Sequence, residues 1–169
     1  DRTICTSTAY AGWKATVGVV AGNDAEQMVD ADLILLWGIN AAYTHINVMT
    51  LVKQARARGA HVVCIDPYRT RTAKQADDHL MIRSGTDGAL ALGLMHVLVA
   101  EDLLDHAYIA RATTGFDALR SHLAAYPPAR VAEITGLSAE TIVRLARRYG
   151  GTKAAFIRVG IGLSRHENG

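Results

Sequence analysis

The sequence predicts an α/β fold: an open, mostly parallel sheet flanked by helices, with a helical insertion late in the chain. Three observations predict it. The segment Asp32-Leu33-Ile34-Leu35-Leu36-Trp37 is a short apolar run that ends at Gly38, as a strand buried on both faces does. A second run, His61-Val62-Val63-Cys64-Ile65, closes on Asp66-Pro67. Residues 44–58 between them have helical period, giving a strand–helix–strand unit whose strands should lie parallel.

In that helix Val48, Leu51, Val52 and Ala55 fall on one face, with Lys53, Arg56 and Arg58 off it, and Gly59 is placed to stop it. A short helix at 72–76 and a short strand at Leu80-Met81-Ile82 follow. Thr86 or Asp87 then caps a helix at 88–100. Short helices are predicted at 105–112, Phe116–Leu123 and 129–134. Ser138 caps a stronger one with Ile142, Val143, Leu145, Ala146 and Tyr149 inward and Arg144, Arg147 and Arg148 outward. Its late arginines suit the negative end of the helix dipole. Ala154 to Val159 forms the last strand, followed by the turn Gly160-Ile161-Gly162, and Ser7–Val17 can form one more helix. The predicted organisation is one fragment, with an α/β core over 30–100 and 151–169 and a helical segment over 101–150.

The chain has 169 residues, enough for one domain with a real core. Half of them are apolar (50%) and 20% are charged, an ordinary balance for a globular protein. The net charge, 18 − 16 = +2, is too weak to indicate a nucleic-acid partner. The two cysteines, Cys5 and Cys64, lie far apart and make neither a CxxC motif nor a disulfide framework. No stretch approaches the length of a membrane span, so no direct span is expected. The start at Asp1 lacks both Met and a signal peptide, and both ends read as cut from something longer. The expected localisation is cytoplasmic, with export of the intact protein to the periplasm left open.

In open parallel sheets ligands sit beyond the carboxyl ends of the strands, and three strand-end loops carry candidate chemistry. The first runs from Gly38 through Asn40 to His45. A glycine there lets a ligand approach the backbone, Asn40 offers a donor and an acceptor, and a new helix N-terminus supplies N–H groups for a phosphate. The loop is not a GxGxxG fingerprint, and no GxxxxGK[ST] loop occurs; a tight structural turn explains it equally well. The second is Asp66-Pro67-Tyr68-Arg69-Thr70. Asp66 stands where such folds grip a ribose diol, and Arg69 or Arg71 can neutralise a phosphate, unless this is an Asp-Pro turn with surface arginines. The third is Ser84-Gly85-Thr86-Asp87-Gly88. Asp87 either caps the helix or accepts the paired N–H groups on the edge of a guanine, with Thr86 as the cap in the second case.

Cys5, among Thr6, Ser7 and Thr8, is either a thiolate suited to a soft metal near a helix start or a small buried residue. Cys64 and Trp37 read as core. His45 and His166 can touch phosphate, while His61, His79, His96, His106 and His122 show no metal spacing. Arg158, Arg165 and His166 face either a phosphate or solvent.

Together these segments resemble the molybdopterin oxidoreductase family, the dimethyl sulfoxide reductase, formate dehydrogenase and nitrate reductase type. The resemblance rests on Trp37-Gly38-Ile39-Asn40 with His45, on Ile65-Asp66-Pro67 with Arg69-Thr70, on Ala76-Asp77, and on Arg83-Ser84-Gly85-Thr86-Asp87 before Ala89-Leu90. It continues through Asp105, Thr114-Gly115-Phe116, Ile134-Thr135-Gly136 and Gly160-Ile161-Gly162, nearly the whole chain. It implies a Rossmann-like, dinucleotide-binding fold. It implies molybdopterin guanine dinucleotide, two per intact enzyme, with molybdenum or tungsten, and a four-iron–four-sulfur cluster in a preceding part of the protein. The implied cofactor contacts are Gly38, Ile39, Asn40, His45, Asp66, Pro67, Arg69, Thr70, Gly85, Thr86, Asp87, Ile161 and Arg165. Arg165 departs from a glutamine found in nitrate-reductase-like members. Cys5 matches the residue that ligates the metal. The implied partners are a small-molecule substrate and an electron-transfer partner or subunit of the intact enzyme, and the fragment by itself should be inactive. Two other readings compete: the central domain of a thiamine-diphosphate enzyme, and a stand-alone guanine-nucleotide-binding module.

Overall fold

The computed structural model describes residues 6–166, which fall into two compact units. One holds the described residues up to Gly85 and from Ala154 onward; the other is Thr86–Lys153.

The first unit is the α/β core. Helix α1 spans Ser7–Val17, as the sequence predicts, and a 3-10 turn over Ala25–Asp30 is capped by Asp24, which accepts from the Glu26 N–H at 3.0 Å. Strand β1 is Leu33–Trp37, buried at every position. A single helical turn, α2 (Ala41–Thr44), precedes α3 (Ile46–Ala57), so the helix expected over 44–58 is broken at His45. Strands β2 (His61–Ile65), β3 (Asp78–Leu80) and β4 (Ala155–Val159) complete a sheet of order β3-β2-β1-β4, all parallel.

The core follows from the sequence pattern. Ile34 and Leu36 of β1 and Val62 of β2 meet Val48, Met49, Val52 and Ala55 of α3, with Met28 and Phe156 closing the cluster. Each of these side chains larger than alanine contributes roughly 1.5–3 kcal/mol by leaving water. Leu35 and Val63 point to the other face and are also buried, which is why β1 and β2 read as continuous apolar runs. The strand expected at Leu80-Met81-Ile82 lies two residues earlier. Its polar residues find partners in and just beyond β2: His61 Nε2 is 2.7 Å from Asp78 Oδ2, and His79 Nε2 is 2.9 Å from the Asp66 carbonyl. A strand satisfied in this way carries little apolar signal.

The second unit is helical: α4 (Asp87–Ala100), α5 (His106–Ala112), α6 (Phe116–Leu123), α7 (Pro128–Thr135) and α8 (Ala139–Gly151). Helix α4 packs against α6, α7 and α8. Its sequence, DGALALGLMHVLVA, is apolar nearly all round, so it needs neighbours on several sides. The boundary therefore falls after Gly85, and α4 does not group with the α/β core as the expected division at residue 100 had it. Asp105 and Ser138 cap their helices, accepting from the N–H of Tyr108 and Thr141 at 2.8 and 3.1 Å. Gly136, at φ 80°, ends α7 in the left-handed region.

Candidate functional site

The register of the α/β unit sets its strand ends level. Trp37 pairs with Ile65 on one side and with Val159 on the other. Gly38, Asp66 and Gly160 therefore leave the sheet in one row. Strand β1 has β2 on one side and β4 on the other, so the sheet order reverses beside it. Such a switch point is where open α/β sheets hold ligands.

The loop beyond β1 is tied to the loop beyond β2 by Thr72, which is fully buried. Its hydroxyl donates to Asn40 Oδ1 at 3.0 Å and accepts from the Ala42 N–H at 2.9 Å. The sequence reading missed Thr72, because a threonine between Arg71 and Ala73 breaks no pattern. The N-terminus of α2, expected to offer free N–H groups to a phosphate, is one turn long, and its Ala42 N–H is already taken. The Thr44 hydroxyl donates to the Asn40 carbonyl at 3.1 Å and lies 2.9 Å from His45 Nδ1. With its hydrogen used, that hydroxyl accepts from Nδ1–H of exposed His45.

In the loop beyond β2, buried Asp66 accepts from the Tyr68 N–H at 2.9 Å through Oδ1, the turn an Asp favours. Its Oδ2 makes no hydrogen bond among the described residues and is not fully enclosed. Buried Thr70 accepts from the Ala73 N–H at 3.1 Å and so starts the 3-10 turn Ala73–Gln75. Pro67 and Arg69 are exposed, and nothing among the described residues engages the Arg69 guanidinium. Arg71 instead stacks over the Tyr43 ring, 5.9 Å from its centroid. Cys64 is core, as expected: burial, and secondarily the Asp66 charge, push its thiol up to about 12.

The glycines play a different part from the one expected of them. Gly38 has φ 60°, and a Cβ there would lie 2.0 Å from Leu163 Cδ1. A Cβ on Gly160 would lie 2.1 Å from the Gly38 carbonyl oxygen. The space at Gly38 admits Leu163 and the backbone after β4, from the turn Ile161–Ser164, rather than standing open to a ligand. The Ile39 side chain is buried in the core cluster, which leaves only its backbone for contact. Gly85 has φ 77° and lies against His166, with a built Cβ 3.3 Å from His166 Cβ. Ile161 is exposed, and so is Arg165, whose N–H donates to the Gly162 carbonyl at 3.3 Å. These contacts bring loops far apart in sequence together within one unit.

In the helical unit, Thr86 holds the N-cap position of α4 at φ −109°, ψ 12°, and its side chain makes no capping hydrogen bond. Asp87 is the first helical residue rather than the cap, where its charge suits the helix dipole. Cys5 lies outside the described residues. Among those described, no cluster of three or more His, Cys, Asp or Glu could hold a metal ion.

The fold and these loops define an α/β unit of the kind that gathers its functional groups beyond parallel strand ends. A sequence model of the family "Molybdopterin oxidoreductase" matches residues 2–169, and the chain belongs to that family. It is 44% identical over its whole length to "Probable oxidoreductase YoaE" of Bacillus subtilis (strain 168), covering 25% of that protein. It is 36% identical over 160 residues to "Formate dehydrogenase H" of Escherichia coli (strain K12), covering 94% of this chain and 22% of that one. Among solved structures, acetylene hydratase from Pelobacter acetylenicus superposes with a TM-score of 0.76 at 29% identity, over 93% of this chain and 22% of that one. The chain thus spans about a quarter of the length of the curated relatives it matches. Membership in this family displaces the thiamine-diphosphate reading. No helix among the described residues is long and apolar enough to cross a membrane.

Proposed function

We propose that this chain is the part of a molybdenum or tungsten oxidoreductase that holds a molybdopterin guanine dinucleotide, with the loops beyond β1 and β2 anchoring its nucleotide end. The observation that supports this reading is the set of polar groups following adjacent, level strand ends: the donors of the Asn40 amide and the unengaged Arg69 guanidinium, and the acceptor Oδ2 of Asp66, which has no partner among the described residues. A carboxylate fits a ribose diol, and a guanidinium fits a phosphate in a two-pronged contact. The residues present therefore fit the group. When bound, the cofactor supplies two-electron redox at its metal; the chain binds and orients it.

In this reading Asn40, Arg69 and His45 meet phosphate oxygens, Asp66 meets the ribose, and Ile39 and Pro67 contribute backbone. Gly38, Thr70 and Gly85 shape the loops. Ile161 and Arg165 face the pterin, Thr86 and Asp87 carry the guanine end, and Cys5 gives its thiolate to the metal. The whole protein would oxidise or reduce a small substrate with two such cofactors, a four-iron–four-sulfur cluster and an electron-transfer partner. Calorimetry on the chain with guanosine, adenosine and thiamine diphosphates tests the nucleotide step. Guanosine diphosphate should bind in preference. Adenine preference would remove Asp87 from its role, and no binding of guanosine diphosphate would overturn the reading.

A further inference from the structure

The two nucleotide-side loops of the α/β unit share one buried hydroxyl, and its hydrogen bonds have a fixed direction. Thr72 Oγ1 accepts from the Ala42 N–H at 2.9 Å and lies 3.0 Å from Asn40 Oδ1. A hydroxyl has one hydrogen. With the Ala42 N–H aimed at its lone pair, that hydrogen is left for Asn40. The opposite amide orientation would set Nδ2–H against the same oxygen and strand the hydroxyl hydrogen at a site with no exposure, at the cost of an unmade buried hydrogen bond. The relay therefore runs from the Ala42 N–H through the Thr72 hydroxyl to the Asn40 carbonyl oxygen. Asn40, half-buried at the strand end, is left with its two Nδ2 hydrogens to offer.

We infer that Thr72 is a positioning residue that turns Asn40 from a two-faced amide into a dedicated donor, so that the loop beyond β1 receives an acceptor oxygen, as on a phosphate or diphosphate, and not a donor such as a base amino group. The ligand half of this inference rests on the nucleotide reading above. The relay rests on hydrogen bonding alone.

The test uses the 169-residue chain and its Thr72→Val, Thr72→Ser, Asn40→Ala and Asn40→Asp variants, with guanosine diphosphate as the probe and NMR of the Asn40 side-chain amide as a second readout. In Thr72→Val the amide should lose order and exchange faster, and affinity should fall about ten-fold, the scale of one net hydrogen bond. Thr72→Ser should restore both. In an Asn40→Ala background Thr72→Val should cost nothing further. Asn40→Asp keeps the shape and the bond from Thr72 but presents only acceptors, so it should bind no better than Asn40→Ala. An equal loss from Thr72→Val in the Asn40→Ala background, an unchanged Asn40 amide in Thr72→Val, or undiminished binding by Asn40→Asp would each overturn the inference. If Thr72→Val does not fold, the Asn40→Asp comparison and the amide of Thr72→Ser still decide. A wild-type chain that ignores guanosine diphosphate, while its amide responds to Thr72→Val, would keep the positioning and sink the nucleotide reading instead.

Discussion

The α/β unit and the helical unit are held together by different kinds of contact. At the strand ends of the first, backbone meets backbone: Gly160 sits on the Gly38 carbonyl, and Thr72, Thr70 and Asp66 bond to main-chain N–H groups. In the second, capped helices meet through apolar side chains, as where Gly93 of α4 faces the Val131 methyls of α7. Side chains can shift by a few tenths of an ångström; peptide units tied at the strand ends, as Gly38 is to Ile65 and Gly160 to Trp37, have less freedom. The strand-end loops should therefore tolerate far less change than the helix contacts.

One added methyl group in each unit offers the largest contrast. Gly160 has φ −95°, so alanine there meets no backbone strain and the whole cost is steric, 2.1 Å from the Gly38 oxygen. Gly160→Ala should lose about 3 kcal/mol in urea denaturation, the upper end of ordinary overpacking. Gly93→Ala places its Cβ 2.9 Å from Val131 Cγ2 but removes a helix-interior glycine. Those effects oppose each other, and the net change should stay within about 1 kcal/mol. A Gly93→Ala loss as large as that of Gly160→Ala would erase the distinction between the units.

The same distinction explains what could be read from sequence. Strands β1 and β2 lie where their apolar runs put them, and α1 and α6 form over the stretches read as possible helices. Asn40 and Asp66 stood out as candidates because they follow buried strands. Three things were not legible. Strand β3 begins with Asp78 and His79, whose partners His61 and the Asp66 carbonyl come from other segments. Thr72 has a role only through Asn40 and Ala42, which no local pattern links to it. Gly38 is shaped by Leu163 and Gly160, from the far end of the chain, so its glycine looked like room for a ligand.

Cys64 sharpens the comparison from inside the α/β unit. Its thiol, with an ordinary value of 9.0, is pushed up to about 12 by burial and then by the Asp66 charge. Between those values the folded chain holds a proton that the unfolded chain releases, so stability should fall as pH rises from about 9 toward 12. The slope owed to this group is about 1.4 kcal/mol per pH unit at most. Denaturation at several pH values, compared between the wild-type chain and Cys64→Ala, isolates the contribution of this thiol. Parallel curves would mean that the β2 interior admits water and is less rigid than its packing implies.

The smallest effect belongs to the most conspicuous polar contact of the helical unit. Arg147 of α8 grips Glu101 at the end of α4 with two prongs, Nε to Oε2 at 2.8 Å and Nη2 to Oε1 at 2.9 Å. The hydrogen bond from Arg147, and after it the guanidinium charge, holds the Glu101 carboxyl below its ordinary 4.5. A depressed carboxyl stabilises the fold above its unfolded value and loses that contribution as pH falls through its folded one. Both groups face water, however, and exposed pairs of good geometry are screened and contribute little. Glu101→Gln should shift the thermal midpoint less than Gly93→Ala does, and raising the salt concentration should remove the shift. A large loss that persists in high salt would show the helical unit to be clamped by fixed polar geometry after all, as the strand-end loops are.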